Sequence, residues 1–383
     1  MSGGTTAVRV RPTTAADVAR AGGTAGVGRD AGVGGDPGAD GAAGADGGTS
    51  SFPDLIEDRW RPGGNRRSFV AVVPDSAGER IVGHCRAVDN TVHPNSRVML
   101  LEVAPDVQGQ GVDDALLHAQ VEASSVPPRM KIYEHQVSDQ QLAARFGGIA
   151  VQVTPPWRYV VGPEMRAWAT QHAPDRTVSI SPPRPADSAD LLALEVDHYI
   201  DQHVSWSPTA PREVMLAELG EDHDPQTPGT WDRGRSRVLQ RDGRIAAAVL
   251  VWPADDASDA DAGNQDGSEG EGGDASGAAS ASGAPEISLL SRPYAGPTSR
   301  ADKEACLAAL IEASADGDQL LIDSHLTMRE EWAMMREVPG LVPSDGTGWM
   351  TITAIPVPGG PAPVPVPHGL VPAETPWVHT LLP

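Results

Sequence analysis

The sequence predicts an α/β (α+β) protein in which two domains follow one another, each a mixed, mostly antiparallel sheet flanked by helices. Three observations lead to this fold class. The chain has 383 residues, more than one core of ordinary size accommodates. Short apolar runs typical of strands alternate with segments of helical periodicity. The order of these elements begins again after roughly 180 residues, which predicts a tandem repeat.

The first domain opens with a strand and a capped helix. Val and Arg alternate over 7–12, and Thr13 and Thr14 precede a helical segment with Asp17 in its first turn. A short amphipathic helix is predicted at Phe52–Trp60. Five strands follow, predicted at 68–74, 79–88, 96–104, 129–137 and 150–161. Two helices, predicted at 112–125 and 138–146, lie between the later strands.

The second domain repeats this order and spacing, although the sequences of the halves are hardly alike. Its strands are predicted at 177–181, 237–240, 244–252, 286–290, 319–324 and 347–356. Its helices are predicted at 185–206, 211–221, 299–315 and 327–337.

Composition sets the domain boundaries. We assign 1–162 to the N-terminal domain, 163–176 to a linker, 177–356 to the C-terminal domain and 357–383 to an extended, Pro-rich tail. Each domain contains an insert, at about 22–51 and about 254–285, that is almost wholly small or acidic. Such segments bury too little apolar surface to offset their ordering entropy, so we predict that both are disordered.

Charge and cysteine content limit the partners. The net charge of −23 argues against nucleic acid and against an anionic membrane surface, because both need a basic face. Cys85 and Cys306 fall in different predicted domains, which argues against a disulfide framework and a Cys-based zinc site, and we expect no metal. No apolar run reaches signal-peptide or membrane-span length, so we expect a cytoplasmic protein.

The strongest motif lies between the third strand of the first domain and the helix after it. Apolar residues end at Val103, a turn with Pro105 follows, and then comes Gln108-Gly109-Gln110-Gly111-Val112-Asp113, here called the glycine loop. Glycines allow close approach of the backbone to a ligand, and the free N–H groups of a helix start attract anions. This arrangement predicts a pyrophosphate-binding site, with an ordinary strand-to-helix turn as the alternative.

The pattern of strand, V-x-P-x-x-Q-G-x-G and helix resembles the acetyl-CoA-binding segment of the GNAT superfamily of N-acetyltransferases. That family's loop runs Gln/Arg-x-x-Gly-x-Gly/Ala, and Leu116-Leu117 stand where its helix becomes apolar. Arg145-Phe146-Gly147-Gly148, followed by two strands, resembles its closing segment. The resemblance covers nearly all of residues 7–162, and the duplication resembles tandem GNAT proteins of actinobacteria such as mycothiol synthase.

The resemblance implies acetyl-CoA as cosubstrate and a set of site residues. The coenzyme would lie against Val103, Gln108, Gly109, Gln110, Gly111, Val112 and Asp113. Its thioester would lie between the strands Val98–Val103 and Arg129–Val137, which splay apart in this fold. Glu102 is the candidate general base, and Tyr133 is a candidate proton donor with His135 on the same face. A solvated Glu and a half-buried packing Tyr are the alternatives.

Departures from the family pattern weaken the expected activity. Asp113 stands where the family has a small residue and would repel a pyrophosphate if it pointed inward. The predicted helix at 138–146 lacks the Tyr that the family often uses as acid. In the second half, aligning Leu310-Ile311 with Leu116-Leu117 places Asp302, Ala305 and Leu307 in the loop, which predicts that this domain is degenerate and lacks cofactor.

Two functions remain open on the sequence alone. The first is an acyl-CoA-dependent N-acyltransferase that transfers acetyl to a small-molecule or peptide amine by direct attack, with its cosubstrate in the N-terminal domain. The second is a catalytically inactive GNAT-fold module for ligand sensing or protein interaction. Asp113, the missing Tyr and the eroded second loop favour the second function. The oligomeric state does not follow from the sequence.

Overall fold

The computed structural model describes residues 8–23, 52, 55, 66–76, 78–174, 178–220, 223, 230–253, 284–292, 294–322, 324–343 and 348–383. These residues form two seven-stranded mixed sheets flanked by helices, which confirms the predicted fold class. Most of both predicted disordered inserts, and most of the helix predicted at Phe52–Trp60, lie outside the described residues.

The first sheet has the strand order β1-β2-β3-β4-β5-β14-β6. Its strands are β1 (Arg9–Pro12), β2 (Arg66–Asp75), β3 (Gly78–Asp89), β4 (Arg97–Val103), β5 (Pro128–Tyr133), β14 (Met350–Ala354) and β6 (Ile149–Thr154). All neighbouring pairs are antiparallel except β4 and β5, which run parallel.

The second sheet has the order β8-β9-β10-β11-β12-β7-β13. Its strands are β8 (Ser179–Ser181), β9 (Arg237–Arg241), β10 (Arg244–Trp252), β11 (Glu286–Ser291), β12 (Gln319–Ile322), β7 (Trp157–Val160) and β13 (Leu341–Pro343). The parallel pair, β11 and β12, again occupies the fourth and fifth positions. The two sheets therefore repeat one topology.

Each half contributes one strand to the sheet of the other half. β7 pairs with β12 and β13, and β14 pairs with β5 and β6. The assignment of the Trp157 strand to the N-terminal sheet and of the Met350 strand to the C-terminal sheet is therefore wrong. Pro155 and Pro156 explain the first change, because neither has an N–H to continue the ladder of β6.

The described helices are α1 (Ala15–Gly23), α2 (Val112–Glu122), α3 (Val137–Arg145), α4 (Pro163–Gln171), α5 (Ser188–His203), α6 (Arg212–Glu218), α7 (Pro297–Ala313) and α8 (Arg329–Glu337). No helix in the described parts of the chain combines the length and apolar character needed to cross a membrane. α2 lies against β3, where Gly83 leaves room for its side chains.

Two segments predicted to be irregular are packed into the cores. The predicted linker contains α4, whose Met165 and Trp168 are buried in the second core. The tail 357–383 is only partly extended, since it has 3₁₀ turns at His368–Leu370 and Val378–Leu381. Its four apolar side chains buried in the first core are Val366, Val371, Val378 and Leu381. Apolar residues between the prolines give this tail a face to bury.

Candidate functional site

β4 and β5 are paired only at one end. Their register contacts are Arg97↔Pro128 and Val98↔Arg129, and beyond them the strands part. This confirms the splay expected between these two strands. Side chains alternate along each strand, so Glu102 and Tyr133, each four residues beyond the Val98↔Arg129 pair, project on the same face from opposite sides of the gap.

The face that carries Glu102 is partly apolar and open. Val98 is 44% exposed and Leu100 39% exposed, although both lie on a strand inside the sheet. The other face of β4 contributes Met99, Leu101 and Val103 to the first core. This exposed apolar wall could not be predicted, because a run of Val, Met and Leu gives no sign of which residues remain uncovered.

Glu102 is half-buried and lies directly opposite His84 on β3. His84 is buried, and its Nε2 is 2.9 Å from the Ser68 hydroxyl, which lies 2.7 Å from that of Thr13. A line of buried polar groups therefore extends from Glu102 across three strands to the loop after β1. Glu102 lies on the opposite face from Leu101 and Val103, as strand alternation predicts.

Tyr133 is half-buried, and burial raises the pKa of its hydroxyl. Its ring packs in a cluster with Trp206 from the end of α5 and with Met350 of β14. The His135 ring stacks beside it at 5.9 Å between centroids. A phenol with a raised pKa keeps its proton through neutral and mildly alkaline pH, so the Tyr133 hydroxyl is protonated there.

The glycine loop opens α2 as predicted. Gly109 and Gly111 have φ values of 72° and 79°, and α2 begins at Val112. Gly111 is the N-cap and offers no side chain to the first turn, so the early N–H groups of α2 have no side-chain cap there. A Cβ added at either glycine would meet nothing within 4 Å, which shows open space over the loop.

Two polar side chains near the loop are engaged within the protein. Gln110 turns back, and its Nε2 donates to the Asp106 carbonyl oxygen at 3.1 Å. Asp106 itself pairs with Arg80 at 2.7 Å, and that hydrogen bond lowers the pKa of the Asp106 carboxyl. The Gln110 side chain therefore stabilises the turn, and its N–H donates to the Val107 carbonyl oxygen at 3.2 Å; its role in coenzyme binding stays a prediction.

Asp113 points to an arginine that the sequence analysis did not connect with it. Arg145, in the last turn of α3, places its Nη2 3.3 Å from Asp113 and its Nε 3.0 Å from Asp114. The hydrogen bond to Asp114 raises the pKa of Arg145. Burial, followed by the charge of Asp113, raises the pKa of Asp139 in the same helix. Arg145 therefore neutralises part of the acidic charge at the start of α2.

The corresponding segment of the second half differs from the predicted alignment. α7 is 17 residues long and begins at Pro297, so Asp302, Ala305 and Leu307 lie inside the helix and not in a loop. The apolar pair Leu310-Ile311 therefore belongs to a later turn than Leu116-Leu117. A glycine does precede the helix, since Gly296 has a φ of 110°. Its N–H donates to Glu330 of α8 at 2.6 Å.

Other candidate groups in the sequence prove to be structural. Cys85 and Cys306 are free and fully buried, and burial raises the pKa of both thiols. Asp302 is buried and pairs with Arg241 of β9. Within the described ranges, no group of three or more His, Cys, Asp and Glu side chains is arranged to hold a metal ion.

Comparison with solved structures gives GNAT N-acetyltransferases, including tandem GNAT proteins. A GCN5-related N-acetyltransferase from Sphaerobacter thermophilus is 13% identical, with a TM-score of 0.49 over 92% of this chain and 96% of that chain. One from Kribbella flavida is 15% identical, with a TM-score of 0.43 over 90% of this chain and 71% of that chain.

A tandem GNAT protein from the clavulanic acid biosynthesis pathway is 13% identical, with a TM-score of 0.45 over 93% of this chain and all of that chain (100%). No protein-family model matches the sequence, and no curated protein matches it. With TM-scores below 0.5 these superpositions are loose, so the function proposed below rests on contacts within this chain.

Proposed function

We propose that this protein is an acyl-CoA-dependent N-acyltransferase that moves acetyl from acetyl-CoA to an amine, with the cosubstrate in the N-terminal half. The observation that carries the proposal is the parting of β4 and β5 beside the glycine loop. The gap exposes backbone polar groups of two strands next to an uncapped helix start. One elongated ligand with an anionic end would satisfy both.

The residues around the loop fit a pyrophosphate. The amides of Gly109, Gly111, Val112 and Asp113 would face it, whereas those of Gln108 and Gln110 donate to the carbonyl oxygens of Pro105 and Val107. The two glycines leave the space over the loop free of side chains. Val103 would line the path from the loop into the gap. Arg145 pairs with Asp113 and Asp114, and its positive charge offsets part of theirs at the start of α2. This pairing reduces the repulsion between the Asp113 carboxylate and a bound pyrophosphate.

In this proposal the amine attacks the thioester directly, Glu102 acts as the general base and Tyr133 acts as the general acid. Glu102 accepts a proton from the amine nitrogen as that nitrogen bonds to the thioester carbonyl carbon. The C–S bond then breaks, and the Tyr133 hydroxyl donates its proton to the leaving sulfur. Solvent takes up the proton from Glu102 and returns one to Tyr133. An acceptor that arrives as an ammonium first loses a proton to solvent, since only the neutral amine can attack. The protein otherwise supplies orientation, since the thioester is already activated.

The acceptor in this proposal is a small-molecule or peptide amine with apolar atoms near the nitrogen. Glu102 would pair with an ammonium, and Val98 and Leu100 provide the adjoining apolar wall. The excess of acidic residues in the chain also favours a cationic acceptor over an anionic one.

Turnover tests the proposal. We expect release of coenzyme A thiol from acetyl-CoA with at least one member of a panel of amines, and a fall in kcat of about 100-fold or more in Glu102→Gln. Glu122→Gln, the same change at an exposed position in the last turn of α2, serves as the control and keeps its activity. Coenzyme binding without thiol release from any amine would contradict catalysis.

A binding module without turnover is the second candidate, and one observation favours it. Asp113 and Asp114 bring two carboxylates to the start of α2, opposed by one arginine. If Asp113→Gly binds coenzyme and the wild type does not, the loop has lost its ligand and the module is the better description. Thiol release by the wild type excludes that description.

A further inference from the structure

A cavity of about 180 Å³ lies in the second half, between the start of α7 and α8. It is separate from the glycine loop and from the gap between β4 and β5. The polar residues of its wall that matter here are Tyr294, Ser299, Lys303, Arg329, Glu330 and Glu331. No step of the proposed reaction uses them.

Glu331 is the central group of this cavity. Its side chain is 2% exposed, and Oε2 accepts from the Lys303 ammonium at 2.8 Å. Its other oxygen, Oε1, is buried and has no hydrogen-bond partner among the described residues. Burial raises the pKa of Glu331, and the Lys303 charge opposes that rise and favours the carboxylate. A buried carboxylate oxygen without a donor costs free energy, so the cavity lacks one hydrogen-bond donor.

An anion alone does not fit this cavity. The N–H of Gly296, just before α7, is already bound by the Glu330 carboxylate of the chain itself. A phosphate would therefore compete with Glu330 and would also face Glu331. The Glu330 carboxylate thus occupies the position before α7 at which a helix start would bind an anionic ligand.

A simple amine does not fit either. Lys303 lies next to Glu331, with its Nζ 5.3 Å from the Tyr294 ring centroid, and Arg300 and Arg329 also line the cavity. Arg300 is already paired with Glu304 and Glu337, but an amine alone would leave the charge of Arg329 unbalanced. Arg329 is exposed and makes no ion pair with a side chain that the structure describes, so a carboxylate at the mouth would balance it.

We propose that this cavity binds a small zwitterion of the α-amino acid class, with its ammonium on Oε1 of Glu331 and its carboxylate on Arg329. Such a ligand adds no net charge, supplies the missing donor and gives Arg329 an acceptor. Tyr294 and Met334 provide the apolar remainder of the wall. No residue of the first half lines this site.

Calorimetric titration of the full chain with the twenty amino acids, without coenzyme, tests this proposal. We expect saturable one-to-one binding of at least one amino acid with a Kd below about 1 mM. The matching amine without the carboxylate, and the matching acid without the amine, bind at least about tenfold more weakly. Arg329→Gln, at an exposed position, weakens binding by about tenfold, and Glu331→Gln by more.

Glu312→Gln is the control, because Glu312 is exposed near the end of α7 and does not line the cavity. We expect no change of Kd in this variant. The proposal is overturned if no amino acid binds, if Arg329→Gln leaves the Kd unchanged, or if inorganic phosphate displaces the amino acid. A negative result here leaves the acetyltransferase proposal intact, since that proposal is tested on the other half.

Discussion

The side chain of Arg145 offsets the acidic charge beside the glycine loop. Two acids in a first helical turn favour the helix itself, because they lie at its positive end, but they oppose an anionic ligand there. Arg145 resolves this conflict by pairing with Asp113 at 3.3 Å and with Asp114 at 3.0 Å. It lies in the last turn of α3, where a cation is itself favourable.

We predict that Arg145→Gln weakens coenzyme A binding by about threefold to tenfold, because both acids then act on the pyrophosphate without a counter-charge. Asp113→Asn in the wild-type background has the opposite effect. Calorimetric titration measures both. Arg212→Gln is a matched control, since Arg212 is similarly exposed and pairs with Asp197 in the other half. Equal affinities in wild type and Arg145→Gln would show that the pair has no role in binding.

A second residue-scale prediction concerns Asp17 in α1. Burial alone would raise its pKa, but hydrogen bonds from Arg11 and Thr14 outweigh burial and lower the pKa from 3.8 to about 2. A lowered folded-state pKa contributes stability above pH 3.8 that is lost as the pH falls toward 2. The full contribution is about 2 kcal/mol, of which about 1 kcal/mol is lost between about pH 5 and about pH 3.

Urea unfolding of wild type and Asp17→Asn at those two pH values tests this contribution. We expect the wild type to lose about 1 kcal/mol more of its unfolding free energy than the variant, because the amide does not titrate. Identical losses in both proteins would show that Asp17 titrates normally in the folded state.

At the scale of single elements, the contact between α2 and β3 fixes the position of α2, the helix that follows the glycine loop. A Cβ at Gly83 would lie 2.8 Å from Cδ1 of Leu116 and 3.0 Å from Cγ1 of Val112. Both residues are fully buried, so neither side chain has free space to move into. The absence of a side chain at Gly83 therefore sets the distance of α2 from the sheet.

We predict that Gly83→Ala lowers the free energy of unfolding by about 1–3 kcal/mol through overpacking. Gly369→Ala is the control, because Gly369 is exposed, its φ lies outside the left-handed region, and a Cβ there meets nothing within 4 Å. Its stability stays the same or rises slightly. Denaturant unfolding measures both variants. An unchanged stability in Gly83→Ala would mean that α2 can shift away from β3 without cost.

The elements of the glycine loop could be predicted from sequence because their signals are local. Apolar β4, the turn at Pro105, the glycines and the start of α2 follow each other within 20 residues, and all lie where predicted. The splay of β4 and β5 was predicted through the family resemblance. The partner of Asp113 was not predictable, because Arg145 comes from another helix 32 residues away.

The second loop was misplaced for a related reason. The apolar pair Leu310-Ile311 carried the alignment, but apolar pairs recur along a long helix and do not mark its start. Gly296 and Pro297 are the true start signals, as a glycine followed by proline at the first helical position. The cavity beside them depends on α8, which no local pattern connects with α7.

At the scale of the whole molecule, the exchange of β7 and β14 means that neither sheet is complete without a strand from the other half. β14 lies between β5 and β6, inside the first sheet, and all five of its residues are buried. The rings of Trp157, Trp332 and Trp349 meet where the exchanged strands begin, with Trp157 stacked on Trp332 at 4.2 Å. Sequence periodicity identifies such strands but not the sheet that they join, because pairing between distant strands leaves no local signal.

This architecture also joins the two proposed sites. Gln152 of β6 donates to the Thr327 hydroxyl at 2.6 Å, and Thr327 lines the cavity beside α8. The Leu326 amide donates to the Val153 carbonyl oxygen of the same strand at 3.1 Å. The cavity wall of the second half is thus attached directly to the first sheet, which holds the gap between β4 and β5.

Thermal unfolding of the full chain with and without acetyl-CoA tests the central claim, that the glycine loop binds the coenzyme. At about a hundred times a micromolar Kd, binding to the folded state adds about 2.7 kcal/mol, so we predict a rise in Tm of several degrees for the wild type. Gly111→Trp, which fills the open space over the loop, should show no rise. No stabilisation of the wild type, or equal stabilisation of both proteins, would contradict the claim.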